Sequence, residues 1–401
     1  MARDVWITGV GLTSSLGEGA DAHWRALAGT DPPRPVFDRD LAPPFAVHPM
    51  VPLDFDAQIP RRSDQRQMES WQRVGTHSAG LALTDAGIAG DAGVLGRTHA
   101  IVAADGGERD IAVDGAILEG LTAAATPGPY LNERLANDLR PTLFLAQLPN
   151  LLAGNISIVH KVTGSSRTFM GEELAGVSAV EIGWRKIAAG QGEVFLVGGA
   201  YVAERKDAIL NNALGGLLWD GEPLPVWARL DKGGGAILGS VGAFLVLEDA
   251  GHARARGRRP YARLAEVRSG RSRRRPGEVG AGFAAGFDDV VSVDGPPPAV
   301  LSGATGIAAA SGEERQFLAG LIAAGRVATV RAGATMLGRA SNAMFPALTA
   351  LAALALARNG FFLPFEADDL ERPLAASTGR IVVTTAGIWR GEGMGLVTAA
   401  A

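Results

Sequence analysis

The chain has 401 residues, of which 47% are hydrophobic and 20% charged, with a formal net charge of −4 and no cysteine. That length can bury a large core or two fused ones, and the charge gives no whole-chain case for nucleic acid. The missing cysteine excludes disulfides and thiolate catalysis and argues against a structural zinc, so no metal site is expected.

No basic-then-apolar leader opens the sequence. The longest apolar run, residues 344–356, is Ala-rich and short of the ~20 residues that span a bilayer. A soluble, cytoplasmic protein without membrane insertion is the expectation.

Residues 4–17 read as a buried strand running into a Gly-punctuated loop, and 19–27 as a helix. Residues 31–60, rich in Pro and Asp, read as an irregular surface excursion. Helical apolar spacing covers 65–86, then a strand at 98–104 and helices at 107–125 and 143–157. A further helix, 174–189, ends at Gly190 and leads to a strand at 194–198. Residues 236–248 are β-rich, and 252–260 form a basic connector. Strands at 261–267 and 299–301, helices at 313–324 and 343–358, and a strand at 380–384 complete the pattern. The alternation predicts an α/β layered architecture with two similar halves, 1–250 and 251–401. Gly9/Gly11 and Gly233–Gly235 lack full Rossmann or Walker spacing, so no cofactor is expected.

One stretch carries most information: Gly164-Ser-Ser-Arg-Thr-Phe-Met-Gly-Glu172-Glu173-Leu-Ala-Gly176. It stands among Ile7–Gly17, Trp24–Gly29, Leu83–Ile88, Pro149–Ile158, Val197–Ala200, Gly239–Glu248 and His252–Gly257. In this order the segments resemble the β-ketoacyl-acyl-carrier-protein synthases, condensing enzymes of the thiolase-like fold, over nearly the whole chain. The resemblance implies that fold, with two similar α/β halves in an αβαβα arrangement. Residues 132–147 and 171–173 further resemble the second ketosynthase-like protein of systems that make very-long-chain fatty acids for lipid A.

The departures from the family all fall on its chemistry. Its enzymes use a cysteine and two histidines; the cysteine position is Glu173 here, and the histidine positions are Gly303 and Thr335. The supporting lysine position falls on Val330 or Arg331. The C-terminal gate motif survives loosely as Ala386–Gly393, with Ile388 or Trp389 near the usual phenylalanine. A carboxylate cannot form the acyl-enzyme thioester. A helix N-terminus favours an anion by roughly 0.3–1 kcal/mol when exposed and up to ~2 when partly buried, which would keep Glu173 ionised and a poor general acid. The residues therefore favour Glu173 as a plug of the old site, with Glu172 and Glu173 the candidates for any remaining catalysis. Arg167, a charge on the strand before the turn, wants a partner such as Glu172 or Glu173.

The resemblance implies a chain-length-factor-like subunit, partnered by a paralogous active ketosynthase or by itself, with the dimer formed through Arg167, Thr168, Phe169 and Met170. It implies acyl carrier protein as a second partner. Arg254, Arg256, Arg258 and Arg259, followed by Arg268, Arg271, Arg273, Arg274 and Arg275, are the basic run that would meet an acidic carrier. The competing expectation is an enzyme acting on acyl thioesters as decarboxylase, hydrolase or dehydratase. An open, water-accessible pocket with Glu173 facing it would favour the enzyme, and a pocket closed by Arg167, Trp389 or a Glu173 salt bridge the subunit.

Overall fold

A computed structural model describes residues 2–29, 31–292, 295–374 and 378–400. Ten strands order the main sheet. They are β1 (Val5–Ser14), β2 (His99–Ala104), β3 (Ser166–Met170), β4 (Val194–Tyr201) and β5 (Val241–Asp249). They continue as β6 (Ala262–Gly270), β7 (Ala299–Ser302), β8 (Thr329–Ala332), β9 (Arg380–Ala386) and β10 (Glu392–Thr398). The order is β8-β7-β9-β10-β6-β1-β5-β4-β2-β3, and a short extra strand, Gly17–Glu18, pairs with β1.

Read outward from the central β6/β1 junction, both wings follow one scheme: first strand, fifth, fourth, second, third. The senses agree as well. The first, fifth and fourth strands are antiparallel neighbours, and the fourth, second and third run parallel. Each first strand breaks register just after its third residue, at Ile7/Gly9 and at Leu264/Glu266. A bulge bends a strand and raises its twist, so both wings curl at the same place.

Two helices fill the space the curled sheet encloses. Helix α2 (Glu173–Ala188) and helix α5 (Met344–Ala357) contact strands of both wings and each other. Helix α1 (Ser70–Asp85) covers β1, β4 and β5 from outside, and helices α3 (Glu278–Val290) and α4 (Ala308–Ala323) back the other wing. This is the layered α/β arrangement predicted. Helix α5 is buried along its length because Met344–Leu356 offers no polar face. Close packing of α2 on the segment before α5 needs Gly176, where a Cβ would lie 2.3 Å from the Asn342 carbonyl oxygen.

Several elements depart from the sequence reading. Residues 31–60 are not wholly irregular: Asp38–Ala42 and Phe45–His48 pair with each other, and the second joins Leu238–Gly239 in a small sheet. The helix expected over 65–86 is split, because Glu69 and Gln72 form a capping box that starts α1 afresh after Arg62–Gln67. The helix expected over 143–157 breaks around Pro149 into Leu143–Ala146 and Leu151–His160. Helices Pro127–Asp138 and α3, and strands β8 and β10, were not foreseen. No helix among the described residues is long and apolar enough to cross a membrane.

Candidate active site at the Glu172–Glu173 turn

Strand β3 ends at Met170, and Gly171 takes a left-handed φ of 138° that turns the chain into α2. Glu172 is the residue just before that helix and Glu173 its first. The glutamates point to different partners. Glu173 is fully buried, and its Oε1 accepts from Arg339 Nε at 2.8 Å and its Oε2 from Arg339 Nη2 at 3.4 Å. Arg339 Nη1 also donates to Asn212 Oδ1 at 3.1 Å. Glu172 accepts from three successive backbone N–H groups: Ile388 at 2.7 Å, Trp389 at 2.9 Å and Arg390 at 3.1 Å.

Burial pushes the Glu173 carboxyl above its ordinary range, with the charge of Arg339 pulling the other way and that of Glu172 adding to the rise. The helix N-terminus invoked from sequence is thus outweighed by desolvation. Burial also raises Asp105, against the hydrogen bond from Gly106 N–H and the charge of Arg339, and pushes Tyr201 up to about 12.

Above the ion pair lies a cavity of about 630 Å³. Its wall includes Asp105, Phe169, Met170, Glu172, Tyr201, Arg205, Asn212, Arg271, Arg339 and Ser341, with Ile388, Trp389 and Arg390 at one side. Glu173 does not reach it, and among the described residues no histidine lines it. The cavity is thus open while the residue at the cysteine position is sealed beneath its floor.

The other predicted residues fall as follows. Ile388 and Trp389 both line the cavity, and Trp389 is 70% exposed. Gly303 and Thr335 are buried away from it, and Thr335 Oγ1 accepts from the Val226 N–H at 3.1 Å. Arg331 is buried in the core, donating to the carbonyls of Phe362 and Leu363 at 3.0 and 2.9 Å. Arg167 does not pair with either glutamate: it is exposed and stacks over the Phe169 ring at 5.8 Å. β3 is the last strand of its wing, so an edge carrying Arg167, Thr168, Phe169 and Met170 has no partner strand among the described residues.

The four arginines of the 254–259 run are placed differently. Arg256 donates to Glu248 at 2.6 and 2.7 Å, and Arg258 to the Thr8 carbonyl at 2.9 Å. Both guanidiniums are spent on internal contacts. Arg254 lies over the Trp6 ring at 4.4 Å, Arg259 is exposed, and none of the four lines the cavity. Arg271 and Arg390 do line it, while Arg271, Arg273 and Arg275 line an adjoining cavity of about 590 Å³. Among the described residues no cluster of three or more acidic, His or Cys side chains suits a metal ion.

Arg339 was missed from sequence, although a signal was present. It is the lone charge within residues 332–357, and a charge in such a run needs a buried partner.

Residues 2–253 match the family described as beta-ketoacyl synthase, N-terminal domain. The 3-oxoacyl-[acyl-carrier-protein] synthase 2 of Vibrio harveyi is 26% identical over 267 residues, covering 65% of this chain and 61% of that relative. The chain therefore aligns with less than two thirds of that relative's length. The structure of the ishigamide ketosynthase/chain length factor superposes with a TM-score of 0.80 at 20% identity, covering 100% of both chains. That of a type II polyketide acyl-carrier protein in complex with its ketosynthase gives 0.75 at 15% identity, also covering 100% of both. At these identities the superpositions establish the thiolase-like ketosynthase fold.

Proposed function

We propose that this chain, which belongs to the beta-ketoacyl synthase family, lacks condensing activity and serves as a chain-length-factor-like partner of an active ketosynthase. The setting is cytoplasmic synthesis of fatty acids, very-long-chain ones for lipid A among them, or of polyketides. The observation that carries this reading is the Glu173–Arg339 pair. It fills the nucleophile position with a carboxylate whose two oxygens are both engaged and screened from the cavity. Gly303 and Thr335 supply no imidazole to decarboxylate a malonyl group or stabilise an enolate.

The surface supports partnership. Met170 on the open edge of β3 is 68% exposed, and the neighbouring segments expose Ile158, Phe144 and Leu148. A free edge beside exposed apolar side chains is a ready pairing surface, for a second copy or for a paralogous ketosynthase. Carrier protein docks, in this reading, against Arg271, Arg273, Arg275 and Arg390 rather than the 254–259 run. The matching strand schemes support 1–250 and 251–401 as the units of a duplication.

The test is incubation with malonyl- and acyl-carrier proteins, alone and with an active ketosynthase, followed by mass spectrometry. No turnover alone, with co-purification and altered product length in the mixture, is expected. Decarboxylation, hydrolysis or condensation by the chain alone, abolished in Glu173→Ala, would overturn the proposal and establish the catalytic alternative.

A further inference from the structure

The loop joining β9 to β10 is held by contacts other than those it makes to Glu172. The Gly387 N–H donates to the Gly391 carbonyl at 2.9 Å and closes the loop on itself. Arg274 grips it from behind: Nε donates to the Gly387 carbonyl at 3.0 Å, and Nη2 to those of Gly387 and Gly391 at 2.7 and 2.8 Å. Its remaining nitrogen, Nη1, is held by Glu392 and Ser272. The three N–H groups between those glycines, of Ile388, Trp389 and Arg390, converge on the opposite side, where Glu172 receives them. Gly387 keeps that approach clear, since a Cβ there would lie 2.7 Å from Glu172 Oε1.

Successive backbone N–H groups pointing at one spot form a concave anion site, and charge-assisted bonds to it are roughly twice as strong as neutral ones. We propose that residues 388–390 form a preformed carboxylate-binding site, that Glu172 occupies it as a tethered ligand, and that a small carboxylate takes it when Glu172 leaves. Occupant and site both border the cavity, so the exchange needs no opening of the core. Glu172 also has somewhere to go: its Oε2 already lies 4.0 Å from Arg339 Nη2. Tethering gives the side chain an effective concentration in the millimolar range or above, so dilute free carboxylates do not compete in the wild type. A cavity ligand carrying a carboxylate enters by displacing Glu172. This inference rests on the loop alone and stands or falls apart from the partner role proposed above.

The probe is sodium acetate, compared with sodium chloride at matched ionic strength. In Glu172→Ala, acetate binds one to one and at least tenfold more tightly than in the wild type, by titration calorimetry. Chloride does not reproduce this. Adding Arg274→Ala, which frees the loop carbonyls, abolishes the gain. Hydrogen exchange gives a readout that does not depend on the alanine variant folding. The amides of 388–390 are protected in the wild type, exchange faster in Glu172→Gln, and regain protection with acetate. Equal acetate affinity in wild type and Glu172→Ala would overturn the proposal. So would amides that exchange equally fast in wild type and Glu172→Gln, or that ignore acetate in the variant.

Discussion

Replacing Arg339 by alanine is the sharpest test of the sealed site. Arg339 is 5% exposed and its partner Glu173 is fully buried. Removing one member of such a pair leaves the other charge without compensation, at a cost of about 3–5 kcal/mol. With an unfolding entropy of ~2.1 cal/mol/K per residue over 401 residues, this lowers Tm by about 4–6 °C. The deficit also depends on pH. Burial already raises the Glu173 pKa, and losing Arg339 removes the charge that opposes the rise. A carboxyl with a raised folded-state pKa contributes stability below its unfolded value of ~4.3 and loses it as pH rises through the folded value. Arg339→Ala is therefore closest to wild type near pH 5 and furthest from it near pH 8. Glu173→Leu combined with Arg339→Met removes both charges at similar volume and returns stability to within about 1 kcal/mol of wild type, or above it. Thermal unfolding followed by circular dichroism at both pH values reads all three proteins. A single variant within 1 °C of wild type throughout, on the scale that ~2.1 cal/mol/K per residue sets, or a double variant as unstable as the single, would refute the reasoning.

Three further outcomes are expected. Burial pushes Glu366 up to about 7, against hydrogen bonds from the Trp227 and Ala228 N–H groups. Its contribution is full below the unfolded carboxyl pKa and fades as pH rises through about 7, so Glu366→Gln flattens the Tm profile there; parallel profiles would count against it. Glu314 is buried with a raised pKa, and its Oε1 accepts from Ser302 and Thr384 hydroxyls at 2.7 and 2.6 Å. Glu314→Gln keeps that acceptor and loses the ionisation, so in thermal melts it gains on wild type as pH rises above the unfolded carboxyl value, whereas Glu314→Ala costs about 1–3 kcal/mol. Met170→Arg puts a charge on the open strand edge and, on the proposed pairing through that edge, gives a monomer in sedimentation velocity where the wild type is a dimer; an unchanged mass would count against that interface.

Sequence reading was strongest where one residue type settles the chemistry. The absent cysteine and Glu173 at the turn were legible at once, and so was the buried helix near the end of the chain, because an uncharged Ala/Leu run admits little else. It was weaker where structure depends on distant partners. Strand β8 is only four residues, Thr329–Ala332, and pairs with β7 in parallel, leaving no local alternation to read. Arg256 and Arg258 look like a solvated run until β1, β5 and α1 bring Thr8, Glu248 and Ala86 beside them. The partner of Glu173 lies 166 positions away, so Arg167 looked nearer in sequence while Arg339 was nearer in space.

Glu173 and Arg339 sit on the connection that follows the third strand of each wing: Glu173 opens the helix after β3, and Arg339 stands between the short helix Ala334–Leu337 and α5. Positions facing one another across such a repeat cannot hold like charges, since two glutamates or two arginines there would repel in a buried setting. The acid on one wing is compensated by the base on the other. Two wings built to one strand scheme thus meet at their centre through unlike residues, an acid from one and a base from the other.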